Sequence, residues 1–515
     1  MTIIGTEFAM TNRDEVDIPS EKSYLLLAFG IIFLYCLIHA SARFLISPVM
    51  QLDEAEQFLD GSVFRLGYST QPPLYTWIVG AVSSISGLNL ATLLGVKYAL
   101  TFFFYFTFFL TARTFWNSQQ ALLITGSLVL FPLYSYEFNR DLSHSILVSL
   151  MAVSTCFFYS QILRKGDTFY YILMGLSAGL GILSKYNFII FLLAMMLASL
   201  SCKQGRRILF NRRIFLAIVS GILVVLPHML WLVNNNFPSI SFAIGEARLN
   251  ASVSPPLLKL LTIAGKAYIE AAIFIFIFML FFCRNVLQGG YRKNVISVPF
   301  CWLSFYGLFL PLIIICFLQV GSFKGRWLAP VFFTLPFTMF SRVNLDMKDI
   351  RLKIFGGLCA TIVVAVLCIR IFAGLMPDQT NKIERIHIPF RDLSLDIRGV
   401  LKENGMNDTE GIIIVTDDKH LAANIMAWIP GTRFTSLQSA EADRSLQNSI
   451  LSQDGILVWN ASKLGENIPE RYLRLFPSVT SFRLLKAQYI HSKKFKPFVL
   501  GIAVIHRKTV AWQLN

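Results

Sequence analysis

The chain has 515 residues, of which 55% are hydrophobic and 14% aromatic; its mean hydropathy is +0.59 and its formal net charge +16. Such a balance excludes an ordinary soluble domain. The charge does not mark a nucleic-acid binder either, because Lys and Arg fall in short clusters between apolar runs and make no continuous basic face.

The first 23 residues carry Asp14, Glu15, Asp17 and Glu21 and lack both a basic n-region and a small-residue cleavage site. No removable signal peptide is expected, and residues 1–23 read as a cytoplasmic tail ahead of a span that serves as its own uncleaved signal. Apolar runs suited to a ~30 Å hydrocarbon layer follow near 24–42, 90–112, 120–136, 144–162, 169–183, 187–201, 214–233, 262–282, 297–318, 327–341 and 354–375. The expected fold is an all-α polytopic membrane domain over 24–375, with about 11 to 13 transmembrane helices and a small C-terminal α/β domain.

The positive-inside rule sets the orientation. Arg164 and Lys165, the five basic residues between Lys203 and Arg213, then Arg284, Arg292 and Lys293, and finally Arg342 to Lys353 all fall on one side, which is therefore the cytoplasm. The stretch from Pro72 to Leu88 is apolar enough for a short span, but counting it would move the 203–213 cluster outside; it is read as a juxtamembrane or re-entrant helix. The first loop (43–89), Glu137 to Asp141, Asn234 to Pro256, Lys324 to Arg326 and everything after 376 then share the outer face.

From residue 376 the composition turns mixed polar. Short apolar runs at Gly411–Val415, Ile456–Trp459 and Phe498–Ile505 read as strands of an α/β domain filling 376–515. The sequence GIIIVTDDKHLAANIMAW reads as strand, turn and helix, with Asp417 or Asp418 near the N-cap. No Gly-rich phosphate fingerprint follows that strand, so no nucleotide site is expected. All eight cysteines lie in or beside apolar runs, with no disulfide framework and no zinc spacing.

Four outward segments hold residues suited to chemistry. LDEAEQF places Asp53, Glu54 and Glu56 at the end of the first span, where carboxylates are costly and mark a functional site unless they form a merely solvated loop. YSTQPPLYTW leaves Tyr68 and Gln71 at the N-terminal end of a helix opened by Pro72 and Pro73, where an anion is favoured. In YEFNRDLSHS, Asp141 and His144 are three apart, so a helix beginning there would present both on one face; Asp141 would equally serve as a helix-start residue. Lys185 interrupts GLSAGLGILSKYNF at the outer surface, as a phosphate ligand or a snorkelling lysine. Lys324 and Arg326 in GSFKGRWLAP stand on the side the charge rule disfavours; an anionic substrate or a lipid headgroup accounts for them.

Together, the DE pair, the PPL helix start, the Asp-x-x-His segment, the GLSAGLGILSKYNF stretch and the K-x-R-W-x-x-P run resemble the bacterial members of glycosyltransferase family 39, the protein mannosyltransferase-like GT-C enzymes. Within that group the chain is most similar to the rhizobial lipopolysaccharide galacturonosyltransferases, and more distantly to the lipid A aminoarabinose transferase, over roughly residues 20–345. The resemblance implies a polyprenyl-phosphate-linked sugar donor, a lipid A or lipopolysaccharide-core acceptor, transfer on the periplasmic face of the inner membrane, and inversion at the anomeric carbon. It makes Asp53 the catalytic acid, with Glu54 beside it and Asp141 as a second carboxylate. Lys324, Arg326, Lys185 and Gln71 are then expected to bind the donor phosphate or lipid, and His144, Tyr68 and Glu56 the substrate. Gln71 stands where relatives often carry Lys or His, and the tail matches no family motif. No metal or other cofactor is expected, since no ligand spacing specifies one. For the carboxylate of a uronic acid, Arg65, Arg140 and Arg248 are available.

Two other readings fit the residues. A multi-span lipid or sugar transporter or flippase would place its charges at midplane and show paired half-sequences; here the charges sit at span ends. A surface-polysaccharide polymerase or ligase would transfer whole glycans, so the mass of the product separates it from a single-sugar transferase.

Overall fold

The computed structural model describes residues 21–248, 256–288, 298–318, 323–442, 450, 452–477, 479 and 481–506. Among them, six helices are long and apolar enough to cross a membrane: Glu21–Ile46, Leu90–Ala112, Ser143–Lys165, Ile214–Asn234, Ala264–Leu287 and Ile350–Leu375. Two bent pairs, Ser118–Leu130 with Leu133–Arg140 at 84° and Phe188–Leu200 with Lys203–Leu209 at 114°, have the form of a broken span or a re-entrant loop. By length, six to eight of the described helices qualify as full spans, with Leu74–Ser86, Thr168–Ser184 and Val298–Ile314 as shorter apolar helices, so fewer helices reach full length than there are apolar runs named above. Proline accounts for part of the difference. Pro132 sits in the first break, and Pro330 and Pro336 fall where the expected 327–341 span is divided into Gly325–Leu328, Ala329–Phe332 and Thr334–Phe340.

Backbone groups freed at the first break find partners, as a low-dielectric setting demands. The Leu133 amide donates to the Glu270 carboxylate at 2.9 Å, and the Tyr134 carbonyl accepts from the Tyr105 hydroxyl at 3.1 Å. The glycines of GLSAGLGILSKYNF have a packing role. Helix Thr168–Ser184 lies so close to Ile214–Asn234 that a Cβ on Gly175 would stand 2.0 Å from the Ala217 carbonyl oxygen, and one on Gly179 2.7 Å from that of Gly221.

Leu74–Ser86 has 13 residues, about 20 Å at 1.5 Å per residue, too short to span. Contacts at the two ends of the bundle agree with that reading. At the basic-rich end, Arg113 pairs with Glu21 at 3.2 Å, Gln120 donates to the Leu345 carbonyl at 2.7 Å, Arg351 donates to Asn285 at 2.9 Å, and Arg213 reaches the Gly166 carbonyl. The first loop, residues 141–145, 185–187 and 324–328 meet at the other end.

The C-terminal domain is a five-stranded sheet ordered β2-β1-β3-β5-β4. Here β1 is Ile413–Val415, β2 Arg433–Thr435, β3 Gly455–Asn460, β4 Arg483–Ala487 and β5 Phe498–Ile505. β1 runs parallel to β2 and β3, while β5 is antiparallel to β3 and β4. Alternate residues feed two cores. Ile414, Ile456, Val458, Leu500 and Ile502 pack with Leu393 and Ile397 of the Phe390–Glu403 helix, and Ile413, Val415, Leu457, Trp459 and Ala503 pack on the opposite face with Tyr472 and Phe476.

This domain docks on the end that carries the first loop. The Met50 amide donates to Asn424 Oδ1 at 2.9 Å, and the Met50 carbonyl accepts from His420 Nε2 at 2.8 Å. Ser47 Oγ donates to the Ile386 carbonyl at 2.6 Å, and Lys419 pairs with Glu56 at 2.7 Å.

Candidate active site

Four segments converge around the helix Leu52–Asp60. The Ser143 amide donates to Asp53 Oδ2 at 3.0 Å, and the Asp53 amide donates to Asp141 Oδ1 at 3.3 Å, so Asp141 holds the backbone of Asp53 while Asp53 holds that of Ser143. Between Asp141 and Ser143, Leu142 is held at φ +65°, a left-handed backbone that costs a residue with a Cβ roughly 1–2 kcal/mol. Helix Ser143–Lys165 therefore starts after Asp141, which corrects the expectation that Asp141 and His144 share a helical face. The kink turns the Ser143 amide toward Asp53.

Both acids remain partly open. Burial, and then the neighbouring Asp53 charge, push the Asp141 carboxyl up to about 8 against the pull of Lys97. That shift favours the protonated form of Asp141 at neutral pH, which is able to donate a hydrogen bond.

Lys185 Nζ donates to Ser145 Oγ at 3.0 Å, one turn into the same helix. The Asn187 side-chain amide donates to the Trp327 carbonyl at 2.6 Å, which brings the half-buried Lys324 and Arg326 alongside. Tyr186 continues the wall, its hydroxyl 3.0 Å from His228 Nε2 and 2.6 Å from Ser239 Oγ.

Other expected residues are placed differently. Glu54 faces away from the open site: only 2% exposed, its Oε2 accepts from Arg43 at 2.6 Å and from the Gln51 amide at 2.8 Å, with Lys97 Nζ 3.9 Å from Oε1. Burial alone would raise this carboxyl, but Arg43 and Lys97 outweigh it and hold it below the usual carboxylate range. A carboxylate clamped by two buried cations is no base, so the structure removes Glu54 from the catalytic set.

The His144 ring is buried and lies 5.2 Å from that of Tyr75; the Gln57 side-chain amide reaches His144 Nε2 at 3.1 Å, and Thr76 donates to Gln57 Oε1 at 2.9 Å. His144 therefore positions the 52–60 helix. The buried Tyr68 hydroxyl donates to the Val63 carbonyl at 2.8 Å and accepts from the Arg65 amide at 3.3 Å, which folds its own loop. Glu56 accepts from Thr70 at 2.6 Å and pairs with Lys419, so it bridges to the C-terminal domain. Gln71 is half-buried in the loop before Pro72. Of the three arginines, Arg65 is exposed, Arg140 pairs with Glu137 at 2.8 Å, and the Arg248 side chain lies outside the described residues.

Sequence reasoning passed over Arg43, Lys97 and Lys419. The first two carried a readable signal, since charged residues inside apolar spans are expensive and require a partner. Lys419 gave none, as its partner is 363 residues away. Among the described residues, no group of three or more His, Cys, Asp or Glu side chains is arranged to hold a metal ion.

A multi-pass helical bundle that gathers acids and cations at one end, with an α/β domain docked beside them, has the architecture of a GT-C membrane glycosyltransferase. Comparison with a solved structure establishes that fold: ArnT from Cupriavidus metallidurans, crystallised in the apo state, matches with a TM-score of 0.62 at 11% identity, over 94% of this chain and 98% of that one.

Residues 70–231 match the family described as dolichyl-phosphate-mannose-protein mannosyltransferase. Two curated relatives from Rhizobium johnstonii (strain DSM 114642 / LMG 32736 / 3841) extend the likeness beyond it. The lipopolysaccharide core galacturonosyltransferase RgtB is 28% identical over 422 residues, covering 79% of this chain and 82% of the relative; RgtA, of the same description, is 26% identical over 413 residues, covering 77% and 79%. The resemblance read from the sequence is confirmed, and the protein is a membrane glycosyltransferase.

Proposed function

We propose that this enzyme moves a single uronic acid, galacturonate first among the candidates, from a polyprenyl-phosphate donor to lipid A or the lipopolysaccharide core. In this reading it lies in the bacterial inner membrane and works on the periplasmic side. The names of the two rhizobial relatives support the sugar and acceptor class. The observation that carries the mechanism is the pairing of the Asp53 segment with Asp141 and Ser143 through two amide–carboxylate hydrogen bonds, beside Lys185.

Transfer is one displacement. The acceptor oxygen attacks the anomeric carbon, its proton passes to Asp53, the bond from that carbon to the phosphate oxygen breaks, and polyprenyl phosphate leaves with inversion. A positioned base contributes typically 10²- to 10⁴-fold. Asp141, protonated at neutral pH, orients a sugar or acceptor oxygen by donating to it. Lys185, Lys324 and Arg326 stabilise the charge that grows on the phosphate; arginine offers a fork and lysine a point charge.

Mass spectrometry of lipid A and core oligosaccharide from cells with and without the gene tests the reading. The expected difference is one uronic acid per acceptor. Identical glycoforms would refute the proposal, and loss of a whole glycan would favour a ligase.

A further inference from the structure

A second opening lies beyond the Asp53 site, between the C-terminal domain and the first loop. It is a cleft of about 640 Å³ whose rim includes Leu52, Glu56, Arg385, Asn460 and Lys463, within the 300–1,000 Å³ typical of small-ligand sites. Its floor is formed by residues just past the carboxyl ends of β1 and β3. The chain leaves β1 for β2 on one side and later returns to β3 on the other, so the cleft stands at the topological switch point of the sheet, where open α/β sheets place their ligands.

The charges in the cleft divide unevenly. Its acids are all engaged: Glu56 by Lys419, Asp417 by Arg471, and Asp418 as the N-cap of helix Lys419–Trp428, accepting from the His420 amide at 3.0 Å. Arg385 and Lys463 are exposed and have no ion-pair partner among the described residues. At the tip of β3, Asn460 Oδ1 is buried without a hydrogen-bond donor among the described residues, a state that costs about 1–3 kcal/mol. Two available cations thus line the same cleft as a residue with an unsatisfied carbonyl oxygen. Anionic groups satisfy the cations and a hydroxyl satisfies the oxygen; an acidic sugar carries both.

We infer that this cleft is a saccharide site that docks the anionic portion of the acceptor. Helix Leu52–Asp60 supplies Leu52 and Glu56 to the cleft and Asp53 to the transfer site, so an acceptor seated here reaches the acid along one short element. The acceptor role rests on the proposed transfer reaction, whereas the binding arm of the test needs no turnover.

The full chain in nanodiscs is titrated with trigalacturonate and with its neutral methyl ester, alongside the Arg385→Ala/Lys463→Ala double variant and Asn460→Asp. Both changes are at the cleft rim, and thermal unfolding verifies that each variant is folded. Trigalacturonate should bind at least tenfold more tightly than the ester, and each variant should lose most of that preference. In transfer assays the double variant should raise the acceptor KM about tenfold while kcat and the donor KM hold. Charge-indifferent binding, or an unchanged acceptor KM, would overturn the inference. If no acceptor is ever glycosylated, the transfer reading fails on its own and the titration still decides whether the cleft takes an acidic sugar.

Discussion

Asp53 and Glu54 are adjacent in sequence yet belong to two different regions. Glu54 is sealed between Arg43 and Lys97, whereas Asp53 meets Asp141 at an open edge. In the first region one carboxylate faces two buried cations and stays ionised, so it holds the first loop onto two spans. In the second, two like charges stand together and one keeps its proton, which leaves hydrogen-bonding capacity for a substrate. Of two neighbouring acids in a membrane protein, the one lacking a buried cation is the one available for chemistry.

The largest effect that sharpens this contrast is Asp53→Asn, which should lower transfer 10²- to 10⁴-fold with the fold intact; near-normal turnover in a nanodisc assay removes Asp53 from the mechanism. Glu54→Ala should do the reverse, costing about 3–5 kcal/mol of stability by leaving two buried cations unanswered. Thermal melts of the purified protein check it, and an undiminished melting temperature would break the comparison.

A smaller effect is expected from pH. Because the Asp141 carboxyl is raised to about 8, its protonated form is complete below that value and is lost as pH rises through it, so kcat/KM should carry a basic limb near pH 8. Asp141→Asn, which stays neutral, should flatten that limb; a limb that persists assigns it to another group. The smallest change is Lys419→Met, which removes the half-buried pair with Glu56 and should loosen the C-terminal domain by roughly 1 kcal/mol, seen as faster proteolytic release.

Much of this arrangement was legible because membranes impose strong rules. Hydropathy located the helices and loop charges sorted their ends, while GIIIV, ILVW and the 498–505 run announced three strands of the sheet. β2 and β4 escaped: β2 is only Arg433–Thr435, and β4, Arg483–Ala487, has Lys and Arg in its short length. Within the site, residue type alone could not separate Asp53 from Glu54, because what distinguishes them is Arg43 and Lys97 on separate spans. The same limit applied to His144 and Tyr68. Each looks available in sequence, yet His144 Nε2 and the Tyr68 hydroxyl are spent on neighbours that only the fold supplies.

The nine-residue helix Leu52–Asp60 has consequences for engineering. Its preceding turn is pinned to the C-terminal domain through Met50, its Glu56 through Lys419, and its Asp53 to the membrane bundle through Ser143. Chimeras that exchange tails between such enzymes, or truncations near residue 376, would therefore unseat a residue more than three hundred positions upstream. Loop and tail have to be swapped as a matched set.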